Sequence, residues 1–220
     1  MYFKSRASAG DLLAQQLVQK YRYENCAVIA LSDGGVMVGA QIASQLHCVM
    51  TMLLTAPITL PQESSILAEI NQVGGVTYND MYSAGELEEL QAEYFGYIEE
   101  QKIQRKFDIN RLLGAGGLIS QELLKEHNII VVSDGLNSGL SLAAAADFLK
   151  PIRIKRLIVA TPFASVAAVD RMHILADEIY CLNVLEDIIS INHYYDTDGN
   201  DVPSHEVVIK TLEDIVLRWK

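Results

Sequence analysis

Short, unbroken apolar runs alternate along the chain with stretches whose apolar residues recur three and four positions apart. Cys26-Ala27-Val28-Ile29-Ala30-Leu31 and Ile129-Ile130-Val131-Val132 show no period-two alternation. A continuous run this short predicts a strand covered on both faces, as in a parallel sheet. Further strands are predicted at about residues 48–54, 154–160 and 179–182, with Pro57 and Pro61 closing the second strand unit. Leu12, Leu13, Leu17 and Tyr21 recur at helical spacing behind a predicted cap at Ser8, with Asp11 three residues on. Helices are also predicted over residues 36–46, 138–150, from Pro162 to about Ala176, and over 205–217, while Ser32-Asp33-Gly34-Gly35 breaks the first strand from its helix. This rhythm predicts an α/β fold, a mostly parallel twisted sheet with helices on both faces.

One stretch interrupts the alternation. Residues 66–70 and 73–78 predict a hairpin across Asn71-Gln72, residues 86–106 one long polar helix, and Gly114-Ala115-Gly116-Gly117 a flexible break. The expected organisation is therefore an α/β core of residues 1–65 and 118–220, with residues 66–117 as an inserted hood segment. Tyr78, Tyr82, Tyr94 and Tyr97 cluster there. They suit a packed helix face or a dimer contact, or a stack over a planar base.

Composition narrows the function classes. Half of the 220 residues are hydrophobic, enough for a substantial core. A net charge of −11 opposes general nucleic-acid binding. The basic groups Lys102-Arg105-Lys106 and Lys150-Arg153-Lys155-Arg156 read as solvated surface. No apolar run reaches the roughly 20 residues that span a bilayer. Met1-Tyr2-Phe3-Lys4-Ser5-Arg6 lacks a secretory apolar stretch, so a soluble, cytoplasmic protein without membrane partners is expected. Cys26, Cys48 and Cys181 are three in number and widely spaced, which predicts free buried thiols rather than disulfides or a zinc site.

The most informative segment follows the run 129–132. Ser133-Asp134-Gly135-Leu136-Asn137-Ser138-Gly139-Leu140-Ser141 takes a buried strand through a tight turn into a helix. The first N–H groups of such a helix have no internal partner, and its dipole favours an anion. Gly135 and Gly139 allow close backbone approach, and Ser138 and Ser141 add hydroxyls. The segment suits a phosphate monoester at the carboxyl edge of the sheet; an ordinary capped strand–helix connection has the same local pattern.

The segment Val131 to Ser141 resembles the phosphoribosyl-diphosphate (PRPP) motif of type I phosphoribosyltransferases. Val28-Ile29-Ala30-Leu31-Ser32-Asp33-Gly34-Gly35-Val36 looks like that family's early pyrophosphate loop. Leu157-Ile158-Val159-Ala160-Thr161-Pro162, Ala176-Asp177-Glu178-Ile179-Tyr180-Cys181-Leu182 and His193-Tyr194-Tyr195-Asp196 resemble later segments in the same order. The resemblance covers most of residues 6–215 and is nearest to the loosely defined predicted phosphoribosyltransferase branch.

The resemblance implies a pentosyltransferase that takes PRPP with magnesium carried by the substrate and no metal ligand from the protein. It implies that Ser133, Gly135, Leu136, Asn137, Ser138, Gly139 and Ser141 surround the 5-phosphate and ribose, that Asp134 bonds a ribose hydroxyl, and that Asp33, Gly34 and Gly35 meet pyrophosphate. An acceptor nucleophile, such as a nucleobase nitrogen, would displace pyrophosphate. Two positions depart from the family pattern. Ser133 stands at the first acidic place, and Asp33 at a place where close relatives carry a basic residue. These departures keep open a second reading, a catalytically degenerate homologue that binds a phosphorylated sugar or nucleotide as a sensor or interaction module.

Other motifs carry less. Asp196 to Asp201 has the wrong spacing for a calcium loop, with Val207 where the twelfth ligand belongs. No histidine pair has metal-ligand spacing with a third ligand near, and His193 suits packing beside Tyr194 and Tyr195. No nucleophile and base pair supports a hydrolase. The exposed inserted helix offers a surface for homodimerisation.

Overall fold

The structure, a computed structural model, describes residues 2–61, 65–113, 121–197 and 200–218. Five strands form a wholly parallel sheet: β1 (Cys26–Ala30), β2 (Val49–Met52), β6 (Asn128–Val132), β7 (Arg156–Ser165) and β8 (Glu178–Leu185), in the order β2-β1-β6-β7-β8. Every residue of β1 and β6 is buried, which is why these runs show no alternation. Val28, Ala30, Ile130 and Val132 pack on one face against α1 (Arg6–Tyr21), α2 (Asp33–Leu46) and α7 (His205–Arg218). Ala27, Ile29, Ile129 and Val131 pack on the other against α5 (Leu140–Leu149) and α6 (Val166–Leu175). The expected α/β class, with helices on both faces, is what the chain adopts.

Several expected boundaries move, each for a local reason. The cap of α1 is Ser5, not Ser8: Ser8 occupies the third helical position, and the two hydroxyls and amides bond reciprocally. Helix α2 starts at Asp33 rather than Val36, because Ser32 Oγ accepts the Gly35 N–H at 2.9 Å and draws both glycines into the first turn. Pro162 does not open a helix. It lies inside β7, whose ladder with β8 lacks a rung there, as a residue without an N–H requires. Burial of Phe163 and Ala164 outweighs the helix-start preference of proline, and Ser165 caps α6 instead.

A second, antiparallel sheet joins β3 (Thr55–Thr59), β4 (Ile66–Asn71) and β5 (Val76–Tyr78) in that order. It draws in residues upstream of position 66, where the inserted segment was expected to begin. Pro57 sits in β3, an edge strand, where a missing donor is tolerated. The hairpin turns at residues 72–75 rather than at Asn71-Gln72, with Asn71 Oδ1 accepting the Val73 and Gly75 amides. The expected single helix is two, α3 (Ala84–Glu93) and α4 (Phe95–Leu113), broken at Tyr94, whose backbone leaves helical geometry. The glycine-rich break at 114–117 lies outside the described residues.

Helix α4 covers this sheet through Ile98 and Ile109. Tyr78, Tyr82 and Tyr94 pack beside Leu60, Leu67 and Ile98, which gives them a packing role. Thr77 Oγ1 donates to Asp147 Oδ2 of α5 at 2.6 Å and ties the hood to the main sheet. Five residues of the basic groups are paired with acids: Lys102 with Glu99, Lys150 with Asp147, Arg153 with Glu126, Lys155 with Glu24 and Arg156 with Glu178. Among the described residues no helix is long and apolar enough to cross a membrane.

Candidate functional site: a crevice between two helix N-termini

Adjacent strands β1 and β6 send their helices to opposite faces of the sheet, α2 to one and α5 to the other. Their carboxyl ends therefore diverge around a crevice, the topological switch point where open α/β sheets bind ligands. Both predicted loops converge there. Ser32 Oγ, at the cap of α2, donates to Asp134 Oδ1 at 2.7 Å across the gap.

The rear of the turn after β6 is built into the protein. Ser133 Oγ donates to Gly135 O at 2.9 Å and accepts the Gly135 N–H. The Leu136 amide bonds Phe163 O at 3.1 Å and its carbonyl accepts the Ser165 N–H, which stitches the turn to the extension of β7. Asp134 is buried. Its Oδ2 receives Arg6 Nε at 2.8 Å, its Oδ1 receives Ser32, and its carbonyl receives the Tyr195 hydroxyl.

Arg6 is the organising residue of this region. It is only 1% exposed, and its guanidinium reaches Asp134, Asp201 Oδ1 at 2.5 Å and Asn192 Oδ1 at 2.5 Å, while stacking over Tyr195. Burial works against its charge, but the bonds to the two carboxylates outweigh burial and hold its pKa above the ordinary arginine value. Burial likewise works against the Asp201 carboxylate, and the Arg6 amide, Thr197 and the Arg6 guanidinium together hold its pKa below the usual range. Burial pushes the Tyr195 phenol up, so it stays a donor. A Cβ on Gly34 would lie 2.0 Å from Asp134 Oδ2 and 2.6 Å from Arg6 Nε. The glycine of the early loop thus makes room for this ion pair.

The front of the turn is different. Gly139 caps α5 at φ 70°, in the left-handed region, and offers no side-chain bond to the helix. The first amide to bond into the helix is Ala143, to Gly139 O at 3.1 Å. Leu140 N–H has only a 3.3 Å contact with Ser138 Oγ, and the Ser141 and Leu142 amides meet no acceptor among the described residues. Asn137 is exposed, and Ser138 and Ser141 are half-buried. The carbonyls of Asn137 and Ser138 are held from behind by Ser165 Oγ and Arg171 Nη1, which turns the amide side outward. Arg171 of α6 also bonds Asn79 Oδ1 at 2.9 Å and pairs with Asp80, so the hood reaches the turn.

Asp33, Gly34 and Gly35 form the first turn of α2. The Asp33 Oδ1 is buried, faces His205 Nδ1 at 3.5 Å and accepts no hydrogen bond among the described residues. A hard anionic oxygen of this kind fits a magnesium ion brought in by a polyphosphate, through the ion's water shell. The three thiols are free; burial pushes Cys26 up to about 11 and Cys48 up to about 12, so neither is a nucleophile near neutral pH. His193 packs edge-on against Tyr2 and Tyr194.

Sequence reasoning missed Arg6, Asn192, Asp201 and Arg171. A signal existed for Arg6: it falls on the same helical stripe as Ala9, Leu13 and Leu17, all buried. A charge on a core-facing stripe demands a buried partner. No local pattern marks the others.

No family model matches the chain. Among solved structures it is similar to TT1426 from Thermus thermophilus, at 24% identity and a TM-score of 0.69, over 100% of this chain and 99% of that one. It is also similar to a hypoxanthine phosphoribosyltransferase from Staphylococcus aureus, at 13% identity and a TM-score of 0.50, over 85% of this chain and 78% of that one. The fold is that of the type I phosphoribosyltransferases: a parallel sheet with helices on both faces and a small antiparallel sheet beside it.

Proposed function

We propose that the chain seats the phosphate of a phosphorylated ribose against residues 137–141 and transfers ribose 5-phosphate from magnesium-bound PRPP to an acceptor, releasing pyrophosphate. The observation that carries this reading is the uncapped N-terminus of α5 at the β1/β6 switch point. Amides of Ser141 and Leu142, the helix dipole and the hydroxyls of Ser138 and Ser141 would together hold a dianion. Asp33 would take part in the water shell of the magnesium, whose chemistry is to neutralise the leaving pyrophosphate. Ribose and pyrophosphate would lie between the α5 and α2 turns, bounded by Asp134 and Gly34-Gly35.

One observation favours the second reading, a phosphate-binding sensor or interaction module without transfer. Both carboxylate oxygens of Asp134 are already held, by Arg6 and Ser32. A ribose hydroxyl gains this carboxylate only by sharing it with those donors, and Ser133 adds no charge.

Calorimetric titration with PRPP, with and without magnesium, and with ribose 5-phosphate separates the two. Magnesium-dependent PRPP binding, followed by pyrophosphate release when nucleobases are added, supports transfer. Equal binding of ribose 5-phosphate, with no pyrophosphate released, supports the sensor. Ser138→Asp places a negative charge beside the seat and is expected to weaken either ligand by about tenfold or more. If neither ligand binds the native chain, the phosphate site itself is ruled out.

A further inference from the structure

Helix α4 has two apolar faces, and the hood sheet covers only one. Ile98 and Ile109 are buried against that sheet, whereas Ile103 is 72% and Phe107 66% exposed on the outer side. A helix with one core to cover needs a single apolar stripe. Gly96, Glu100, Ile103 and Phe107 are spaced four, three and four apart, the spacing of a helix-pairing seam. With Glu99 and Gln104 they line a shallow groove.

The charges along this face are segregated. Glu99 and Glu100 lie before Ile103, and Arg111, its side chain 71% exposed, lies after Phe107. Among the described residues Arg111 has only a loose contact of 3.8 Å with Asp108. A uniformly basic partner would satisfy the acidic half and clash with Arg111; an acidic partner would do the reverse. A parallel copy would set glutamates on glutamates. An antiparallel copy sets Glu99, which also pairs with Lys102, beside Arg111 at each end of the seam.

We propose that the groove is covered by α4 of a second copy of this chain, running antiparallel about a two-fold axis near position 105. Ile103 then meets the partner's Phe107, Phe107 meets the partner's Ile103, and Glu99 meets the partner's Arg111. Arg105 stays out of the seam, on the side of α4 that faces away from it. The net charge of −11 opposes unspecific association of copies, so these matched contacts determine the pairing. One helix pair falls at or below the low end of the roughly 1,200–2,000 Å² of standard interfaces, so a micromolar dimer is expected.

Sedimentation equilibrium of the full chain, from low to high micromolar, tests this. The expected result is a monomer–dimer equilibrium in which Ile103→Lys raises the dissociation constant by about thirtyfold or more. Arg111→Glu should weaken the dimer, and Glu99→Arg combined with Arg111→Glu should restore it. Direction is read by oxidising an equimolar mixture of the Ile103→Cys and Phe107→Cys chains, in which the mixed disulfide should dominate. Circular dichroism melts confirm that these exposed substitutions leave the monomer folded. A monomer at every concentration, a dimer indifferent to Ile103→Lys, or a predominance of position 103 linked to itself would each overturn the proposal.

Discussion

Ser133, Asp134, Gly135 and Leu136 form the rear of one turn, and Asn137, Ser138, Gly139 and Ser141 its front, yet the two halves treat their polar groups in opposite ways. At the rear, the Ser133 hydroxyl, the Asp134 carboxylate and the Gly135 and Leu136 amides all have protein partners. At the front, carbonyls are pinned by Ser165 and Arg171 while the Ser141 and Leu142 amides meet no acceptor among the described residues. The difference separates a half fixed by protein partners from a half with amides to spare. A buried carboxylate paired with Arg6 fixes where the turn sits, and that fixed backbone holds unpaired donors in place without a side-chain cap. Motif positions that look equivalent along the chain thus divide into scaffold and, on the proposed function, seat.

The largest expected effect comes from breaking the rear. Arg6→Met leaves Asp134 and Asp201 buried without their cation and should cost about 3–5 kcal/mol in urea unfolding. A cost under about 1 kcal/mol would mean that the rear does not depend on this ion pair. Next comes the hinge between the halves. Gly139→Ala must hold φ 70° with its Cβ 3.3 Å from the Ala168 Cα, at about 1–2 kcal/mol, and should lower ribose 5-phosphate affinity by moving the α5 amides. Ser32→Ala removes the α2 cap and the bond to Asp134, for about 1 kcal/mol in thermal unfolding, with phosphate affinity unchanged if the front is the seat. The smallest effect is in acid. The folded pKa of Asp201 is lowered, so its contribution is present above its unfolded value of about 4 and lost as pH falls through the folded value. Asp201→Asn should be less stable than the native chain at neutral pH, and the gap in unfolding free energy should narrow below about pH 4.

Much of this architecture is written locally. The all-apolar runs of β1 and β6 can be buried only on both faces, which requires a parallel sheet covered by helices, and the Gly-Ser turn after β6 announces a helix start open to an anion. The resemblance to phosphoribosyltransferases rested on those same residues, and the fold agrees with it. Boundaries were harder wherever two local rules competed. Pro162 can open a helix or sit in a strand, and the burial of Phe163 decided between them. Ser5 and Ser8 can each cap α1, and their reciprocal bonds assigned the roles.

What the sequence determined by itself is the set of elements whose signals lie within a few residues: the buried strands, the amphipathic helices and the turn that leaves amides unpaired. Only the tertiary structure decided which charge meets which. Arg6, Asp134 and the pair Asn192 and Asp201 are brought together from three distant parts of the chain, and the same packing decides that Asp134 is held while Ser141 is open. A hydrogen bond or ion pair depends on ångström-scale placement of its two partners, and hydrophobic periodicity along the chain carries no information about that placement.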